Sequence, residues 1–257
     1  MSEQSRAGRF LRYSGIVNPA ALINSHILIV GVGAIGRQVA LQLAAMGTGS
    51  IELCDMDTVE EANLGAQGYR PDQLGLSKVG ATRHDIEAIN PDGECYDHHC
   101  KFDSDFFVGD YTHVFICVDC MTARNQIAES CVVEGVSFTD TRMSGLNAQA
   151  YYVDRFNDGY AKYASTLFTN EQAHPEPCTA RSVIFTSNII AGIAISLWAS
   201  SLRQTPDFPY LRLSLADYTI DSIQLESEAA PPQETLPSED AVQAGLPSGS
   251  LADPATS

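Results

Sequence analysis

Lysine is scarce in this chain. Among 257 residues only Lys78, Lys101 and Lys162 are lysines, and Lys and Arg together number 15 against 32 Asp and Glu. The formal net charge of −17 excludes general nucleic-acid binding, which needs fields of Lys and Arg to displace counterions from phosphate. It also makes each lysine informative about a site. No apolar run reaches the length of a membrane span. The longest, residues 182–202, is interrupted by Thr186, Ser187, Asn188 and Gly192 and reads as a buried helix. The N-terminal stretch MSEQSRAGRFLRYSG lacks the apolar core of a signal peptide. The seven cysteines are odd in number and sit mostly in apolar segments, which suits reduced thiols and a cytoplasmic location better than a disulfide framework. Cys117 and Cys120 form a C-x-x-C, but there is no second pair to complete a tetrahedral site, so no structural zinc is expected. The His98-His99-Cys100 run lacks a fourth ligand and reads as a polar loop. The single tryptophan, Trp198, falls in the apolar helix and is read as core.

What the chain does have is an alternation of strand and helix signals. HILIV (26–30) and SIELC (50–54) are short apolar strands, with a helical run to Met46 between them. Residues 76–90 have helical spacing and stop at Pro91. THVFICV (112–118) is another buried strand, and a helix over 122–135 closes at Gly135. VSFTD and NAQAYYVD read as strands, followed by a polar stretch from Arg155 to Pro177, the long apolar helix over 180–204, and a hairpin turning near Asp217. This pattern predicts an α/β fold: a Rossmann-like nucleotide-binding half continuing into a mixed sheet with antiparallel C-terminal strands. From Glu226 onward the chain has six acids, no base and no aromatic residue. Such a segment cannot bury enough apolar surface to offset ordering entropy, so residues 1–225 are expected to form the domain and 226–257 an acidic disordered tail.

Between the first strand and helix, Gly31, Gly33 and Gly36 have the G-x-G-x-x-G spacing of a phosphate-binding turn. Asp55 ends the second strand 19 residues after Gly36, where an acid that reads a ribose belongs. These features alone suit NAD or ATP equally.

The stretch from Asp55, DMDTVEEANLGAQ, followed by GLSK and a helix ending at Asn90-Pro91, resembles the ThiF/MoeB superfamily, the fold of the ubiquitin-activating enzymes. CVDCMTARNQI resembles that family's D-x-x-x-x-R segment, with Asp119 and Arg124 in the matching places. RFLRYSG resembles its leading arginine segment, and EPCTARS plus the apolar helix resembles its cysteine-bearing end. The resemblance runs from about Arg9 to Leu225. It implies a cytoplasmic, ATP-dependent adenylyltransferase that activates the C-terminal carboxylate of a small ubiquitin-like or sulfur-carrier protein. Lys78 would hold the phosphates, Asp119 a Mg²⁺ ion, and Asp55 the ribose, with Asn63 and Gln67 bracing the nucleotide. Arg12 would reach the leaving phosphates from the neighbouring subunit of a homodimer, and Cys178 would be available for transfer of the activated group. No contact with a membrane is implied.

The chain departs from that pattern at Ala66, where relatives carry a phosphate-binding arginine. Arg70, four residues on, is the expected substitute. The alternatives are adenylation of a peptide or other carboxylate, with the acidic charge arguing against tRNA, and a catalytically weakened scaffold. An NAD-dependent oxidoreductase would leave Lys78 without a task, because hydride transfer builds no phosphoryl charge.

Overall fold

The computed structural model describes residues 8–154, 159–168, 182–203 and 210–223. Cys178 and the tail predicted from Glu226 lie outside these residues. In chain order the elements are α1 (Pro19–Ile23), β1 (His26–Val30), α2 (Ala34–Met46), β2 (Ser50–Cys54), α3 (Glu61–Gln67), α4 (Lys78–Ile89), β3 (Glu94–His98) and β4 (His113–Ile116). They continue as α5 (Met121–Glu134), β5 (Phe138–Ser144), β6 (Asn147–Val153), α6 (Gly159–Ala164), α7 (Ile184–Ser201), β7 (Tyr210–Ser214) and β8 (Thr219–Ile223).

The strands form one sheet in the order β3-β2-β1-β4-β5-β6-β7-β8. The first five are parallel and the remaining pairings antiparallel, as the alternation predicts. The change from β1 to β4 across the sheet is a topological switch point, where open α/β sheets bind ligands beyond the carboxyl ends of the strands. β1 shows why its sequence is continuously apolar. Ile27 and Ile29 pack toward one helical layer, while Leu28 and Val30 pack toward the other. The first layer holds α2, α4 and α7, with Leu43, Phe115 and Trp198 among its buried side chains. The second is built on Ile127, Phe138 and Tyr163. Trp198 is core, as its setting implies.

Two segments to which the sequence pattern assigns no element form regular structure. Glu94–His98 pairs with β2 as the edge strand, so His98 ends a strand rather than lying in a loop. Glu61–Gln67 forms a short helix, with the Asn63 side chain accepting from the Glu60 N–H at 2.9 Å to secure its first turn. Gly135 takes the left-handed conformation that closes α5, and the terminal hairpin turns over residues 215–218.

Candidate nucleotide site

The glycine loop is a steric necessity. Gly31 has φ +87°, and a Cβ there would lie 2.8 Å from the Cys117 backbone. A Cβ on Gly36 would fall 1.8 Å from the Gly31 carbonyl, so no side chain fits where the loop folds onto α2. Gly33 differs: its Cβ direction meets only the Gln67 carboxamide, at 3.9 Å. No side chain caps α2, so its first N–H groups and positive end are available to an anion. The Gln67 Oε1 atom is buried without a hydrogen-bond partner among the described residues. An open glycine, an uncapped helix and an orphaned acceptor at one place fit a polyphosphate with its bound water.

Asp55 clamps this loop. One carboxylate oxygen accepts from the Val32 N–H at 2.6 Å and the other from the Asp57 N–H at 2.8 Å. Asn63 and Gln67 lie one turn apart on the same face of α3. Asn63 borders a cleft of about 390 Å³ whose other walls include Asp57, Glu60, Lys78 and His99. Lys78 opens α4, directly after the Ser77 cap, and its side chain is only 8% exposed. Its Nζ lies 2.8 Å from the Asp57 carboxylate.

A buried brace sets Lys78 against the glycine loop. The Tyr69 hydroxyl donates to the Val32 carbonyl at 2.7 Å and lies 3.4 Å from the Lys78 carbonyl. The Arg37 guanidinium stacks on the Tyr69 ring at 4.3 Å and donates to Asp85 at 2.8 Å. Burial raises the Asp85 pKa, but hydrogen bonds from Arg70, Arg37 and Gln73 outweigh it and leave the carboxyl at about 2. Asp57, Tyr69, Arg37 and Asp85 were not singled out from the sequence. Arg37 and Asp85 are signalled by the density of Asp and Arg within a chain poor in bases and Asp57 by its place in the DMDTV run, whereas nothing local marks Tyr69.

Asp119 is exposed just beyond β4, two residues after Cys117, against whose backbone Gly31 packs. Among the described residues no three metal-binding side chains cluster. Mg²⁺ does not require such a cage: one or two carboxylates, phosphate oxygens and waters complete its shell. Arg124, matched to the same motif, is structural. It donates to the carbonyls of Thr141 and Val118 and pairs with Asp140, and burial pulls its pKa down to about 10.

Arg70 is not in the cleft. Its guanidinium is held by Asp72 and Asp85, so the geometry does not place it in the role of the cation absent at Ala66. Arg12 is exposed near the far end of α2. Its neighbours Arg9 and Tyr13 bond to the carbonyls of Ala44, Ala45 and Met46 at that end. At about 1.5 Å per residue, the helix puts some 20 Å between that end and the glycine loop. Arg12 therefore cannot serve the site of its own chain.

The chain is similar to known proteins in sequence and in fold. The chain is 32% identical over 153 residues to ubiquitin-like modifier-activating enzyme 5 of Dictyostelium discoideum, covering 52% of this chain and 39% of that protein. It is 32% identical over 125 residues to adenylyltransferase and sulfurtransferase MOCS3 of the same organism, covering 47% and 29%. The chain thus spans about two fifths or less of these curated relatives. The E. coli MccB structure solved with ATP shares the fold at a TM-score of 0.69 and 16% identity, over 87% of this chain and 72% of that one. The ThiF family matches residues 11–236, and the chain belongs to that family.

Proposed function

We propose that the protein adenylates the C-terminal carboxylate of a small ubiquitin-like or sulfur-carrier protein at the expense of ATP. The observation that carries this reading is Lys78, a nearly buried ammonium bordering the same cleft as Asn63, which lies one helical turn from Gln67, the residue that Gly33 of the glycine loop faces. The relatives named as a ubiquitin-like modifier-activating enzyme and an adenylyltransferase support it.

The partner's carboxylate oxygen attacks the α-phosphorus. A carboxyl–phosphate bond forms, the bond to the β-phosphate breaks, and pyrophosphate leaves. Negative charge grows on the phosphoryl oxygens and the leaving group, so catalysis is positioning and cationic stabilisation. The α2 N-terminus and the Gly33 backbone would receive phosphate oxygens, Lys78 would hold the leaving group, and Asp55 would orient the ribose. Asp119, together with phosphate oxygens, would hold Mg²⁺, whose charge would offset that of the phosphates. Arg12 acts only in a homodimer, reaching the partner subunit's site; its remoteness from its own glycine loop supports that arrangement. Cys178 is the proposed acceptor if the activated group is transferred.

A second reading, a weakened catalyst or binding scaffold, draws on Ala66 and on the engagement of Arg70 by Asp72 and Asp85. Incubation with ATP, Mg²⁺ and a candidate partner ending in Gly-Gly decides between them by mass spectrometry. An AMP adduct on the partner is expected. Binding of the partner with no adduct under any nucleotide condition would establish the scaffold instead. Tight binding of NAD without ATP binding would exclude both readings.

A further inference from the structure

We infer that Asp57 is a built-in counterion for Lys78 that occupies the ammonium when nucleotide is absent and must be displaced by phosphate on loading. This rests on the ATP site proposed above and assigns a positioning role to a cleft residue that the proposed reaction leaves without one. The two partners are unequally placed. Lys78 is 8% exposed and fixed at the start of α4, whereas the Asp57 side chain is 54% exposed at the mouth of the cleft. The carboxylate contacts the ammonium at 2.8 Å, the distance a phosphate oxygen would take.

The main chain of Asp57 is anchored independently of that carboxylate. Its N–H donates to Asp55 at 2.8 Å and its carbonyl accepts from the Lys78 N–H at 2.9 Å. Thr58 bridges to Ser77 beside it. The side chain can therefore turn to solvent while the strand end, Asp55 and α4 keep their places. Glu60 lines the same cleft, so the mouth carries two carboxylates around one lysine. A ligand that takes Lys78 must out-compete Asp57, and a polyphosphate does so better than a lone carboxylate or a monophosphate. The arrangement holds a scarce cation desolvated and aimed, and favours the triphosphate over the product nucleotide.

The test is isothermal calorimetry of Mg·ATP on the full chain and on Asp57→Asn, Lys78→Met and the double variant. Asp57→Asn keeps the shape and removes the charge. Its ATP Kd is expected to fall about five-fold, the size of a partly exposed pair. In the Lys78→Met background the same Asp57→Asn change is expected to leave Kd unaltered. Weaker or unchanged binding in Asp57→Asn, with wild-type affinity intact, would overturn the counterion role and leave the adenylation site standing. An equal gain in both backgrounds would show general repulsion rather than a Lys78 pair, and would also overturn it. A wild type that binds no ATP would remove this inference together with the site.

Discussion

Asp140 and Asp57 each hold a nearly buried cation, yet they sit in opposite settings. Asp140 is fully enclosed on β5 between Arg124 and Arg142, with the Tyr163 hydroxyl donating at 3.2 Å. Asp57 faces solvent beside Lys78. A sealed charge cluster has no exchange partner, so it fixes β5, α5 and the 159–166 segment in one arrangement. An open pair can trade its carboxylate for an incoming anion. The same chemistry therefore holds the fold on one face of the sheet and prepares a site at the strand ends.

The largest break in this comparison is Asp140→Asn. It strands two arginines, and an orphaned buried pair costs about 3–5 kcal/mol, so the denaturation midpoint should fall steeply or the chain should fail to fold. Asp85→Asn, in the half-sealed brace behind Lys78, should cost about 2 kcal/mol in urea titration because Arg70 retains Asp72 and solvent while Arg37 does not.

His113 is fully buried between the Ser137 and Thr139 hydroxyls, and burial depresses its pKa to about 3. The unfolded chain takes up that proton near pH 6.5, and the folded chain does not. Stability present above pH 6.5 should therefore be lost as pH falls toward 3, by up to about 1.4 kcal/mol per pH unit. Urea midpoints measured from pH 7.5 to 4 should show this slope, and His113→Gln should flatten it. The smallest expected effect is Arg70→Ala. Asp85 keeps Arg37 and Gln73, so the cost should be about 0.5–1 kcal/mol, with ATP affinity unchanged by calorimetry.

The parallel half of the fold was legible because β1 and β4 are short apolar strands buried on both faces, β2 alternates buried Ile51 and Leu53 with partly buried Ser50 and Glu52, and glycine or amphipathic spacing flanks them. β3 was not, because in ECYDH only Cys95 is fully buried. Part of what secures that strand is remote. Glu52 in β2 accepts from His98 at 2.6 Å, from His26 at 2.8 Å and from Tyr111 at 2.7 Å, a convergence that no local window contains. For the candidate site, spacing and family pattern point to Gly31, Gly33, Gly36, Asp55, Asn63, Gln67 and Lys78. The role of Asp57 was not legible there, since its meaning comes from the fold of the 55–78 stretch, which returns Lys78 to it. Nearness in sequence to Ala66 points to Arg70, but the Asp85 carboxylate draws its guanidinium elsewhere.

The most direct test of the adenylation reading is ATP–pyrophosphate exchange with small partner proteins ending in a free Gly-Gly carboxylate. Wild type should exchange label only when such a partner is present, and Lys78→Ala and Asp119→Ala should each lose about 100-fold or more of the rate. Exchange that is absent with every carboxylate partner, or that survives intact in both variants, would contradict it.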